Sequence, residues 1–443
     1  MRGRRAGFAF RSRFCGPALL VWLLPGAIFS DSLPPVKPVV VKTQGFLPFA
    51  DAPINYRSSD LNDPVAKLEK RLERGEVKLH YDSRHGYLKS VLDALHVSIS
   101  SQALVFSKTS FQYPNINPAA PRALYYNDDV YVGQVHAGRF LEFVSFDPMQ
   151  GAIFYVMDEH RDKHPRFERS EIDCIQCHVA PSTKGIPGVM LRSVFTKPDG
   201  SPNAAERSFV TGQESPISQR WGGWYVTAKS GSAGSMANQE SLAEHVDTKR
   251  YLVASSDIVP LLVLAHQTQM HNWITLVNYQ TRISLADPHH TKEEVQKSFA
   301  NSAEQLVRYL LFTNEAPLPS PVAGTSDFAR QFAARGPRDP QGRSLRDFDL
   351  RKRIFKYPCS YLIYSETFDA IPAAAKDYIY HRLFEILSGH EQGPEFASLS
   401  SRDRRAILEI LVATKPGLPD EWKQGLVAPV RARLTFNPNE RIR

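Results

Sequence analysis

Val130-Tyr131-Val132-Gly133-Gln134-Val135-His136, Phe140-Leu141-Glu142-Phe143-Val144-Ser145-Phe146 and Ala152-Ile153-Phe154-Tyr155-Val156-Met157 are three β-prone runs within 30 residues. Short gaps rich in turn formers separate them, His136-Ala137-Gly138-Arg139 and Asp147-Pro148-Met149-Gln150-Gly151. Runs this close leave no room for crossover helices, so they predict an antiparallel meander. Two shorter aromatic runs, Ala103 to Phe106 and Ala123 to Tyr126, extend it on the N-terminal side. Before them the pattern is helical. Asp63-Pro64 supplies an N-cap and a first helical position, and Val65, Leu68 and Leu72 share one face. Leu88, Val91, Leu92 and Leu95 mark a second helix after the turn near Gly86.

Cys174-Ile175-Gln176-Cys177-His178 follows the meander and reads C-x-x-C-H, the pattern for covalent attachment of a c-type haem. Two thiols three positions apart on a helical turn face the same way, so each can add across one porphyrin vinyl group. The histidine beside them is placed to become the proximal iron ligand. A C-x-x-C pair also occurs in zinc sites and in thiol–disulfide centres. A zinc ribbon needs a second such pair, yet the chain has four cysteines, of which Cys15 precedes an apolar leader and Cys359 stands alone. A mixed Cys2His2 site using His178 stays open, although no histidine pair follows at finger spacing.

Residues 1–30 carry five arginines and no acid, then the apolar run Pro17 to Leu24 and the small or turn-forming Gly26, Ala27 and Ser30. These are the three regions of a signal peptide, too short to span a bilayer. The expected location is therefore outside the cytoplasm, in the periplasm or beyond. Without those arginines the 54 basic residues become 49 against 46 acidic, a balance of +3. That is too little to point to nucleic acid as a partner. No membrane span is expected in the remaining chain. Of its three cysteines a haem would take two, leaving none for an internal disulfide.

The chain divides into residues 31–55, an extended tether; 56–165, an α+β module; 166–315, the haem-binding region; 316–344, a linker; and 345–443, a helical C-terminal module. Residues 174–240 are rich in glycine and proline and predict loops with one or two short strands. Within them Trp221-Gly222-Gly223-Trp224-Tyr225 reads as a bulged strand packing rings into the core, or as a tryptophan set against a porphyrin. Asp257 to Arg282 is a long apolar helix broken by His266, Gln267, Gln269, His271 and Asn272. Residues 291–313, 373–387 and 401–414 predict further helices. The fold class is α+β: helices and a meander, a loop-rich centre, and a mainly helical C-terminal half.

The sixth iron position separates an electron carrier from an enzyme. Met236, in the loop Gly231-Ser232-Ala233-Gly234-Ser235-Met236-Ala237-Asn238, offers a thioether on a flexible segment and is the first candidate. Met190 lies close to the motif and is expected at the haem rim. His266 and His271 are five apart, diverge by roughly 140° on a helix, and cannot easily share a metal. A polar stripe of that kind is more often a hydrogen-bonded core element. Cys359 reads as a buried inert thiol or an unusual ligand, and an open position is the remaining alternative.

Cys174-Ile175-Gln176-Cys177-His178 behind a signal peptide resembles a c-type cytochrome. That resemblance implies one covalent haem c on Cys174 and Cys177, ligation by His178, and single-electron exchange with a redox partner protein. It covers five residues and their context; the rest departs from the small helical cytochromes, since the motif lies mid-chain. Tyr126-Asn127-Asp128-Asp129-Val130-Tyr131-Val132-Gly133 and Arg220-Trp221-Gly222-Gly223-Trp224-Tyr225-Val226-Thr227 are similar to a group of exported bacterial single-haem proteins. That likeness spans most of the chain but implies no activity. Alternatives are a haem enzyme, a peroxidase or small-molecule oxidoreductase, with an open distal site, and a haem-based sensor or structural subunit.

Overall fold

The alternation in the three β-prone runs closes into one antiparallel sheet whose strands follow chain order. The computed structural model describes residues 46–423 except 59 and 230–241, so the leader and Met236 lie outside the described residues. Helices α1 (Pro64–Glu73) and α2 (Leu88–Ala94) precede β1 (Ala103–Val105), β2 (Arg122–Tyr126), β3 (Val130–Gln134), β4 (Phe140–Asp147), β5 (Gly151–Asp158) and β6 (Glu168–Arg169). The register pairs Tyr131 with Val144 and Val144 with Phe154, so alternate residues fall on opposite faces. Ala123, Tyr125, Val132, Leu141, Phe143, Ile153 and Tyr155 form one face and share a buried cluster with Val65, Leu68, Leu88 and Val91 of the two helices. Asp63 caps α1 as its sequence suggests, its Oδ1 accepting from the N–H groups of Val65 and Ala66. The opposite face presents Val144, Phe146, Ala152 and Phe154.

After the sheet come α3 (Ile172–His178), the short pair β7 (Arg192–Ser193) and β8 (Phe209–Val210), and α4 (Leu242–His245). The segment Trp221 to Tyr225 runs beside β1, with Tyr225 N–H donating to Leu104 O and Gly223 O accepting from Phe106 and Ser107. Gly223 takes φ +81° there, and a Cβ would stand 2.7 Å from that of Ser107. Both tryptophans are buried in the main core, and the segment meets β1 through an isolated bridge, Val105 with Trp224, and not as a strand of its own.

Helix α5 (Ile258–Leu285) is the axis of the molecule. It is buried along nearly its whole length and contacts α6 (Lys292–Leu310), α7 (Phe328–Ala334), α8 (Glu366–Asp369), α9 (Ala373–Ser388) and β5; α10 (Ser401–Thr414) packs on α9. Its polar residues reach backbone groups on the elements around it. Gln267 Nε2 donates to Asn127 O at 2.7 Å, Asn278 Nδ2 to Ala370 O at 3.0 Å, Tyr279 OH to Gln150 O at 2.7 Å and Arg282 Nη2 to Pro53 O at 2.7 Å. Most groups of this polar stripe find a partner, which lets it sit in a buried helix, while Gln269 Nε2, His271 Nδ1 and Gln280 Oε1 are buried without one among the described residues. Among the described residues no helix is long and apolar enough to cross a membrane. The molecule is mixed α+β with a helical C-terminal half.

The described residues cluster as a single compact unit, so the described parts of the stretches 56–165, 166–315, 316–344 and 345–443 share one body. The stretch read as a linker carries α7, whose Phe328 and Phe332 enter the main core. The C-terminal end of the tether packs as well, with Ile54 buried and Pro53 O bonded to α5. The common cause is α5, which holds the tether and the C-terminal stretch by its polar stripe and α7 by its apolar side.

Buried titratable groups set a pH optimum for stability. Burial raises the carboxyls of Asp129, Glu159 and Glu315 to about 7, and lowers the imidazoles of His266 and His271 to about 3 and about 4. The raised carboxyls hold protons that the unfolded chain releases, so their contribution is lost as pH rises toward 7. The lowered histidines stay neutral where the unfolded chain is charged, so theirs is lost as pH falls below the unfolded value of about 6.5. Between the unfolded carboxyl values of about 4 and the unfolded imidazole value of about 6.5 the three carboxyls outweigh the two histidines, so the melting temperature is expected to peak at about pH 4–5 and to fall on both sides. Glu159→Gln should flatten the alkaline limb in thermal scans.

Candidate haem-attachment site

Helix α3 carries the motif itself. Cys174 and Cys177 stand one turn apart on it, and neither is in a disulfide. Cys174 packs against the Phe146, Ala152, Phe154 and Val189 cluster, on the sheet face opposite α1 and α2, while Cys177 is exposed. Tyr131 and Val144 on that face are half-buried and pack, like Cys174, against the same cluster. Burial raises the Cys174 thiol above its ordinary pKa, against the lowering effect of the Ser170 hydroxyl, with Glu142 raising it further. A reactive dithiol centre needs the opposite, a thiol acidified by its surroundings.

His178 ends the helix, and its imidazole is fixed from one side only. Nδ1 lies 2.8 Å from Gly188 O and must donate to it, because a carbonyl only accepts. Nε2 then carries the lone pair and has no hydrogen-bond partner among the described residues. The ring stands 4.8 Å from that of Phe154, tilted by 51°. Burial holds the imidazole below its ordinary pKa; the Gly188 carbonyl and Glu142 oppose this and Arg122 adds to it. A neutral imidazole with one nitrogen tied to a carbonyl and the other free is the state in which histidine binds a metal.

The loop after the motif is closed on His178. Gly188 N–H donates to His178 O at 3.0 Å, and the Thr183 hydroxyl donates to the same oxygen at 3.1 Å. Across the sheet face Arg122 Nη1 meets Glu142 Oε2 at 2.8 Å, and Glu142 Oε1 accepts from Gln112 Nε2 at 2.8 Å. Arg122 and Glu142 are the charged groups that act on the imidazole of His178, and no local pattern in the sequence marks them.

The distal candidates separate clearly. Both nitrogens of His266 are bonded, Nδ1 to Gln213 Oε1 at 2.6 Å and Nε2 to Ser360 Oγ at 2.7 Å, so it is a core histidine. His271 donates from Nε2 to Asp128 O at 2.8 Å and stacks on Phe146 at 3.7 Å, with Nδ1 buried and unbonded. Phe146 thus lies against the ring of His271, on the sheet face that Cys174 packs on. Met190 is half-buried, its Sδ accepting from Ser182 Oγ at 3.3 Å. Cys359 is fully buried, and burial alone pushes its thiol up. Met236 lies outside the described residues.

The donor set fits a covalent haem: two unbridged thiols and one oriented neutral imidazole beside a small apolar cluster. Among the described residues no group of three or more His, Cys, Asp or Glu that could hold a metal ion is found. Comparisons with protein-family models, with curated proteins and with solved structures found no match for this chain.

Proposed function

We propose that the chain is an exported c-type cytochrome that binds one haem on Cys174 and Cys177 and passes single electrons to and from a redox partner protein. The observation that carries the reading is the imidazole of His178, bonded at Nδ1, without a partner at Nε2 among the described residues, and set on the same short helix as two unbridged thiols. In attachment each thiol adds across a vinyl group: a sulfur–carbon bond forms at one vinyl carbon and the thiol proton's equivalent ends on the other. The bound haem supplies the one-electron couple. The protein's part would be to hold His178 neutral and oriented, to offer Tyr131 and Val144 as apolar contacts beside Cys174, and to keep the Arg122–Glu142 pair on the same sheet face. Met236 is the thioether candidate for the sixth position. Export rests on the leader-like residues 1–30.

The test is an absorption spectrum of protein exported from a host with cytochrome c maturation machinery, taken oxidised, reduced and under carbon monoxide. Covalent low-spin haem that ignores carbon monoxide is the expected result, with a far-red band if a thioether is bound. A high-spin spectrum that shifts with carbon monoxide would replace the carrier by a haem enzyme or a sensor. Absence of covalent haem, where a control cytochrome matures, would return the motif to zinc or dithiol chemistry.

A further inference from the structure

We infer that Asn272 is a positioning residue for the iron ligand, acting through the backbone of residues 188 and 189; this rests on the haem reading above. The motif places His178 next to an iron but does not set the rotation of its ring. The carbonyl of Gly188 does that, and Asn272 holds the chain where this carbonyl sits. Its carboxamide, fully buried inside α5, forms two bonds with one residue: Val189 N–H donates to Oδ1 at 3.0 Å, and Nδ2 donates to Val189 O at 2.7 Å. The approach is possible because residue 188 is glycine; a Cβ there would overlap Asn272 Oδ1 and stand 3.0 Å from Thr183 Cβ.

Three links therefore run in series from the core helix to the metal-binding nitrogen. Asn272 holds Val189, Gly188 is pinned between Val189 and His178 O, and Gly188 O takes the Nδ1 proton of the imidazole. Their anchor is rigid, since α5 is bonded to the surrounding backbone at Gln267, Asn278, Tyr279 and Arg282. An imidazole that donates from Nδ1 is a stronger electron donor at Nε2, and partners of this kind tune both ligand orientation and basicity. Asn272 is thereby a lever on the iron–histidine bond and on the reduction potential, 94 residues downstream of the ligand.

The experiment uses the full chain matured with haem, as wild type, Asn272→Leu, Asn272→Asp and Asn278→Leu. The iron–histidine stretching frequency is read on the resting ferrous protein by nuclear resonance vibrational spectroscopy of iron-57-labelled haem, which needs no vacant distal position, and the potential by redox titration. Asn272→Leu should keep one covalent haem per chain, lower the stretching frequency and raise the potential. Asn272→Asp retains the Val189 N–H acceptor and should fall between. Asn278→Leu removes a bond of the same kind from the same helix, to Ala370 O, and should change neither readout. If Asn272→Leu does not mature, the Asp variant and Gly188→Ala, which pushes the same peptide from the loop side, decide the question. The inference is overturned if matured Asn272 variants keep the wild-type frequency and potential, or if Asn278→Leu shifts them equally. A wild-type chain without covalent haem would instead reject the parent reading.

Discussion

Cys174→Ala/Cys177→Ala, exported beside a maturing control, should carry no covalent haem at all, read as loss of peroxidase staining on a denaturing gel. Either single variant should keep one thioether, with a shifted haemochrome band. The effect is all-or-none because no other pair of thiols is available: among the described residues Cys359 is the remaining cysteine, and it is buried in the core. Collapse of the fold is a poor alternative cause. Cys177 is exposed, and Cys174 is half-buried at the margin of a small cluster, so alanine there removes little packing. Circular dichroism on the double variant should match that of the unloaded wild type. His178→Ala should separate attachment from ligation: haem stays bound through both sulfurs, while the iron turns high-spin and takes up added imidazole. Covalent haem that survived loss of both cysteines would end the cytochrome reading.

What could be read in advance divides by the range of the interaction. The sheet was legible because alternation is local: Phe143 and Val144 must point to opposite faces wherever the strand lies. The ends of α1 and α5 were legible for the same reason, as Asp63 and Asp257 cap the residues next to them. The C-x-x-C-H spacing is local too. Nothing local says that Asn272 will clasp Val189, or that the imidazole of His266 will be shared between Gln213 and Ser360. Such pairings span 53 to 94 residues and follow no period. Likewise the proline-rich stretch after residue 316 resembles a spacer in composition, yet Phe328 and Phe332 bury it against α5. Two aromatic residues four apart were the available sign that it packs.

The clasp between the sheet and the C-terminal half should carry the largest loss of stability from a single substitution. Arg346 is almost fully buried, its guanidinium 4.3 Å from the ring of Tyr361 and 4.6 Å from that of Phe332, with both Nη atoms on the Asp128 carboxylate. The two charges are 218 residues apart in the chain. Arg346→Ala would open a slot between the rings and leave Asp128 with Arg335, at 3.4 Å, as its ion-pair partner. Breaking a buried pair from one side costs about 3–5 kcal/mol, and the residual Arg335 contact and partial exposure of Asp128 place this case near 3. Arg346→Lys keeps the charge but loses the planar fork that fits both the carboxylate and the rings, so about half that loss is expected. Urea unfolding at constant slope measures both. A cycle with Asp128→Asn should return a coupling of about 1–3 kcal/mol, the range for residues in one network. The same residue's carbonyl accepts His271, and His271 lies against Phe146 on the motif-bearing face of the sheet. If Arg346→Ala cost under about 1 kcal/mol, the range of exposed ion pairs, Asp128 would be held by backbone bonds alone and the clasp would not join the two halves.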